Sequence, residues 1–268
     1  MPIVDQAAAL ARQLDVVWTL LLLMSRFTGL MLVFPGIGGG LSGLAIRAPA
    51  ILVLSLTAMV TSARAVLPAD WFVLAGQVGS EFLFGLLIGF IPYMIIAGVQ
   101  LAGQFTTTAM GVGAGTLFDP TFGVQTSDLS RILGDISVIL FLLIGGHHIL
   151  VHAAAGLGGT IVPGTFAVSK DAVDLLIHNS ANILRIGLMI SAPVLVALLL
   201  ANFALAMLSR AVPQMNIFII AFPLTIGIGL ILTVLALPEV MRFVDREFAQ
   251  IDRSVAVAVE STTRRSGF

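Results

Sequence analysis

Cysteine is absent from this chain, and charge is scarce: Asp, Glu, Lys and Arg together supply 10% of the residues. Soluble domains carry about 25%, so most of this surface must face lipid or other protein. Without cysteine there is no disulfide framework and no thiolate metal site. A net charge of -1 leaves no basic footprint for nucleic acid. Alternating apolar and polar segments of about ten residues, which would mark a transmembrane β-barrel, are missing too. No serine sits in a G-x-S-x-G elbow and the acids stand singly among apolar runs, which disfavours an enzyme. What is present is hydrophobicity. With 58% apolar residues and a mean hydropathy of +1.09, the chain reads as an all-α integral membrane protein built of long, broken helices. Its first charge is Asp5 rather than a basic cluster, and Asp15 directly precedes the first apolar run. The N-terminus is therefore expected to be retained rather than cleaved as a signal peptide.

In chain order, residues 1–15 read as a short interfacial helix, and Val16 to Phe34 as a first apolar segment interrupted by Arg26. An arginine that deep must face protein, so an inter-helix or inter-subunit ion pair is the expected role, ahead of transport. A glycine-rich break covers Pro35 to Gly43. A second apolar stretch, Ala48 to Ala63, lies between Arg47 and Arg64 and is short for a full span. Asp70 is placed to cap the following helix. Trp71 to Gln104 exceeds one span, so either the helix projects beyond the membrane or Pro92 divides it. Within it, Gly85 and Gly89 permit close helix packing, and Glu81 is expected to pair with an arginine. Leu129 to Gly158 reads as the next helix, with Arg131 and Asp135 on one face. Gly159 to His178 reads as a polar connector. Glu239 to Phe268, with five Arg and five acidic residues, reads as a solvated helix and tail, more consistent with a cytoplasmic C-terminus.

Three motif matches fail on context. Gly38 to Gly43 fits G-x-G-x-x-G, but no strand precedes it and no acid follows at the required distance. Gly111, Gly113 and Gly115 alternate without the lysine of a phosphate loop. His148 and His152 have metal-ligand spacing, but Ile149 stands where the catalytic Glu of H-E-x-x-H belongs. Neither a metal nor a cofactor is expected.

Phe105 to Asp128 differs from its surroundings in its glycine content and in the bulky Met110, Leu117, Phe118 and Phe122. Two readings stand on the residues alone: a surface loop, or a segment that obstructs a passage and moves aside. Further on, Ile186 to Ser209 and Ala211 to Pro238 are free of charge on either side of Arg210. Each is long enough to span, so together they read as a helical hairpin whose tip carries Pro213, Gln214 and Asn216. Arg26, Glu81, Asp135, Arg185 and Arg210 are isolated charges with few obvious partners in the sequence, and with Arg47 and Arg131 they make up the candidate intramembrane or subunit-contact charges. That fits a subunit whose charges are consumed in contacts better than a solute transporter, for which an internal repeat would be expected.

The stretch Leu208-Ser-Arg-Ala-Val-Pro-Gln-Met-Asn-Ile-Phe218, with Phe222-Pro223, resembles the C-terminal signature of the FliR family of flagellar type III export-gate proteins and their injectisome relatives. Ala221 stands where glycine is commoner. Arg26 and Pro35, Arg47, Glu81-Phe82-x-x-Gly85, Ala102-Gly103-Gln104, Met110-Gly111, Phe118-Asp119-Pro120 and Gly146-His147 follow in the order that family has. The resemblance implies a FliP-like part over residues 1–178, a FliQ-like hairpin over 179–238 and a polar helix and tail over 239–268. It also implies a plug within 105–128, formed by Met110, Gly111, Gly113, Gly115, Leu117, Phe118, Asp119, Pro120 and Phe122. The implied partners are FliP-like and FliQ-like subunits, other membrane proteins of the export apparatus, and unfolded export substrates. The implied location is the bacterial inner membrane at the flagellar basal body, with the flagellar branch favoured over the injectisome by the wording of the signature. In assembled members many apolar helices rise out of the bilayer plane, so hydropathy is expected to over-count true spans.

Overall fold

The computed structural model describes residues 2–36, 40–112, 128–156, 161–167, 170–211 and 217–256. All regular structure among the described residues is helical, with seven main helices. These are α1 (Pro2–Val33), α2 (Gly40–Thr61), α3 (Trp71–Ala109), α4 (Asp128–Leu143), α5 (Gly146–Ala154), α6 (Lys170–Ala211) and α7 (Ile217–Phe248). Four helices are long and apolar enough to cross a membrane, and α4 with α5 forms a fifth candidate, broken between them. The chain is thus an all-α protein of membrane type.

Several boundaries differ from those expected of the sequence. The N-terminal residues and the first apolar segment form one continuous α1. Pro92 does not divide α3, and Pro49, Pro193, Pro223 and Pro238 likewise lie inside helices. Such prolines are tolerated in membrane helices because neighbouring groups re-satisfy the freed backbone. Helix α3 also runs through Phe105 to Ala109, into the stretch expected to be loop. There Thr106, Thr107 and Thr108 each donate a hydroxyl to the carbonyl four residues back, which satisfies them within the helix. Conversely, the segment read as one helix from Leu129 is interrupted at Ile144-Gly145. Gly145 adopts φ 80°, a conformation that costs glycine nothing. His178, expected in a connector, lies within α6, which begins at Lys170. The start of α3 is as expected: the Asp70 carboxylate accepts from Phe72 N at 3.0 Å, closing the N-cap.

The chain divides into two compact units. The first comprises residues 1–93, 141–179 and 249–268, and the second comprises 94–140 and 180–248. In the first unit α1 lies directly against α3. A Cβ on Gly29 would collide with the Phe82 carbonyl, and one on Gly85 with the Arg26 carbonyl. Glycine at both positions is what lets the backbones approach this closely. Leu22, Leu23, Phe27 and Leu30 of α1, Phe84 and Ile88 of α3, Leu150 of α5 and Ile161 are all but completely buried. The second unit has its own core. Met110, Val194 and Leu198 are buried together, with Leu129, Ile226, Ile228 and Leu232 packed around them.

Candidate functional site

Two places gather the residues singled out by sequence. One is a buried charge node in the first unit. Arg26 and Glu81 are both fully buried, and Arg26 Nε lies 2.6 Å from Glu81 Oε2. Each partner has further work. Arg26 Nη1 donates to the Ala154 carbonyl at the end of α5, at 3.1 Å. Glu81 Oε1 accepts from Gly164 N in the connector before α6, at 2.6 Å. The guanidinium also stands 4.8 Å from the centre of the Phe84 ring, whose face attracts cations, and Phe84 in turn packs on Phe166. The node therefore joins α1, α3, the end of α5 and the connector through charge-assisted hydrogen bonds. The ion pair expected of Arg26 and Glu81 is formed within the chain.

The second place is the root of the glycine-rich segment, in the second unit. Met110 is buried against α7, and a Cβ on Gly229 would run into its thioether. Thr225 of α7 holds its hydroxyl 2.9 Å from the Met110 carbonyl, sharing its one proton with the Ala221 carbonyl of its own turn. Gly111 has φ 80°, and the Phe222 ring covers it. Past the segment, Ser130 donates to the Gln100 carbonyl at 2.6 Å, and its backbone lies against Gly103. Both stems are thus fastened to helices of the same unit. Gly113, Gly115, Leu117, Phe118, Asp119, Pro120 and Phe122 lie outside the described residues, as do the hairpin-tip residues Pro213, Gln214 and Asn216.

Among the described residues, Arg131, Asp135, Arg185 and Arg210 are not brought together. Arg47 is half-buried in α2. Arg131 and Asp135 stand exposed on α4, and Arg210 is exposed in the last turn of α6. Arg185 is exposed and donates to Asn182 on its own helix at 3.4 Å. His148 and His152 line an open cavity of about 670 Å³ with Asp252 and Arg253. Among the described residues no three side chains are grouped to hold a metal ion.

Sequence reasoning missed Gly29, Thr225 and the backbone partners of the ion pair. Gly29 had a usable signal, since it lies three residues from Arg26 on the face that meets α3. Thr225 had none, because one threonine in an apolar helix ordinarily bonds its own backbone.

The chain matches the family model described as bacterial export proteins, family 1, over residues 17–251. It is 31% identical over 171 residues to the flagellar biosynthetic protein FliR of Escherichia coli K12, covering 64% of this chain and 66% of that protein. FliR of Pectobacterium carotovorum is 30% identical over the same length and shares. The chain thus spans just under two thirds of the length of these flagellar relatives. The Yop proteins translocation protein T of Yersinia pestis is 30% identical over 228 residues, covering 83% of this chain and 87% of that protein.

Proposed function

This chain belongs to the bacterial export proteins, family 1, which includes FliR and its injectisome relatives, and from that premise we propose that it is a membrane subunit of a flagellar type III export gate. In this reading it assembles with FliP-like and FliQ-like subunits around the pore through which unfolded flagellar proteins leave. Its place is the inner membrane at the flagellar basal body. Residues 1–178 supply the FliP-like part, 179–238 the FliQ-like hairpin and 239–268 the polar end. The observation that carries the proposal is the uncovered apolar surface of the last two long helices. Their most apolar stretches have mean hydropathies of 2.4 and 2.1, yet only 28% and 11% of them are buried. Helices of that composition leave water, and neighbouring subunits supply the cover that the described residues do not.

The gate is passive. The segment from Met110 to Phe122 obstructs the passage, its root held by Met110 and Thr225 on α7, while driving energy comes from elsewhere in the machine. Co-expression of the tagged chain with FliP and FliQ relatives, followed by detergent purification, tests the reading. One stable hetero-complex is expected; a well-behaved chain that retains neither partner would overturn it. Within that complex, deletion of Gly111 to Phe122 is expected to leave assembly intact and the membrane leaky to ions, whereas an unchanged, tight membrane would remove the plug assignment. An injectisome gate is the second reading, favoured by the longer alignment with the Yersinia protein.

A further inference from the structure

We propose that the cavity between α5 and the helical segment after α7 binds a zwitterionic phospholipid by its phosphoethanolamine headgroup. One wall comes from the C-terminal side. After a turn at Ala249-Gln250 the chain is helical again over residues 251–256, and Ser254 N donates to the Gln250 carbonyl at 3.1 Å. Ile251 and Val255 anchor this segment by their burial. At helical spacing Asp252 and Ala256 then form one row, with Arg253 on one side of it and Val255 on the other. Asp252 and Arg253 are exposed, and both line the cavity of about 670 Å³.

Helix α5 supplies the facing wall. Its Leu150, Ala153 and Ala154 are buried, and Arg26 holds the Ala154 carbonyl at 3.1 Å, which fixes the rotation of the helix. The opposite row, His148 and His152 at i and i+4 with Ile149 beside them, therefore lines the cavity. The His147 ring lies against that of His148, with ring centres 4.0 Å apart, and steadies it. Among the described residues none of His148, His152, Asp252 and Arg253 has an ion-pair partner, whereas Arg242 and Glu239, earlier on the same run of chain, do pair at 3.1 Å. The polar capacity of the four side chains is thus left for a ligand.

Charge and size select the ligand. Arg253 and Asp252 place one cation and one carboxylate on adjacent positions, with no net charge between them. A phosphoethanolamine carries the complementary pair, a phosphate and an ammonium on a short ethylene link. The guanidinium and the imidazole N–H groups donate to phosphate oxygens, and Asp252 accepts from the ammonium, in charge-assisted bonds. Ile149, Val255 and Ala256 offer apolar surface to the glycerol ester and the first methylenes. The volume falls within the range of about 300–1,000 Å³ usual for small-molecule pockets. A phosphatidylglycerol would set its anion near Asp252 with nothing to neutralise that carboxylate, and a choline has no N–H to give it. The site stands whether or not the chain belongs to an export gate.

Calorimetric titration of the full chain in an uncharged, phosphate-free detergent tests this, with dihexanoyl phospholipids added below their micelle concentration. The phosphatidylethanolamine is expected to bind on the order of tenfold more tightly than the phosphatidylglycerol or the phosphatidylcholine. Asp252→Asn is expected to erase that preference, and Arg253→Gln to weaken all of these lipids about tenfold. Arg242→Gln, which breaks the exposed pair outside the cavity, should leave every affinity unchanged. Equal affinity of the native chain for the lipids, or a preference that survives Asp252→Asn, would overturn the site. Free phosphoethanolamine bound as tightly as the lipid would overturn the lipid as occupant, because the apolar wall would then contribute nothing. The selectivity of the native chain is itself a readout, so the test stands even if a variant fails to fold.

Discussion

The most apolar stretch of the α3 helix has a mean hydropathy of 2.3 and is 56% buried, whereas that of the helix containing α7 has 2.1 and is 11% buried. Hydropathy thus reports that a helix leaves water but not what receives it. The difference lies in the interruptions. Helix α3 carries Glu81, which finds Arg26, and Gly85, which takes the Arg26 carbonyl against its own backbone. Along α7, Gly229 receives Met110, but a Cβ on Gly227 would meet no packing neighbour within 4 Å among the described residues, and Ile231, Val234 and Leu235 are more than half exposed. One helix is committed to its own chain and the other is left available.

The contrast should break first at the node. Glu81→Ala leaves a fully buried guanidinium without its counter-charge and the Gly164 amide without its acceptor, at a cost of about 3–5 kcal/mol. Loss of folded protein from the membrane fraction is the expected result, and accumulation at native levels would show that the node is dispensable. The glycines sharpen the contrast next. Gly85→Ala drives a methyl into a backbone carbonyl that cannot yield, and should cost about 3 kcal/mol. Gly227→Ala meets open space and removes a helix-interior glycine, for a gain of up to ~1 kcal/mol. Opposite shifts in melting temperature in detergent are expected, and equal shifts would erase the distinction between the helices. The smallest effect is Thr225→Val, which takes from the Met110 carbonyl its donor on α7 and should cost ~1 kcal/mol. A wild-type melting curve for that variant would mean that the hydroxyl proton stays with Ala221.

Much of the architecture was legible in the sequence, because lipid imposes a strong code. Long charge-free runs gave the helices, Asp70 gave the start of α3, and the Gly85-Gly89 pair gave a close-packing face. Helix ends were harder. The threonines at 106–108 suggest a loop in a soluble context but back-bond inside a helix here, and Pro92 carries no break. The charges were half legible. A buried acid demands a cation, so a pair for Glu81 could be expected, yet which arginine and which backbone groups join it depends on the chain folding back from residue 154 to residue 26. Arg210, Arg185 and Arg131 remain exposed, and their role as subunit contacts belongs to the proposed assembly. Reversal of charge in Arg210→Glu is expected to block incorporation of the partner subunits without altering the melting of the isolated chain; normal assembly would make the tip a turn and nothing more.

Photo-cross-linking from α7 tests most directly whether its open surface belongs to other subunits. A photo-activatable residue at Val234, which is 67% exposed, would be compared with one at fully buried Leu22, in cells that make the chain with its FliP and FliQ relatives. Adducts from position 234 to those subunits, and only intrachain products from position 22, are the predicted result. Lipid adducts alone from position 234, unchanged by the presence of the relatives, would contradict it.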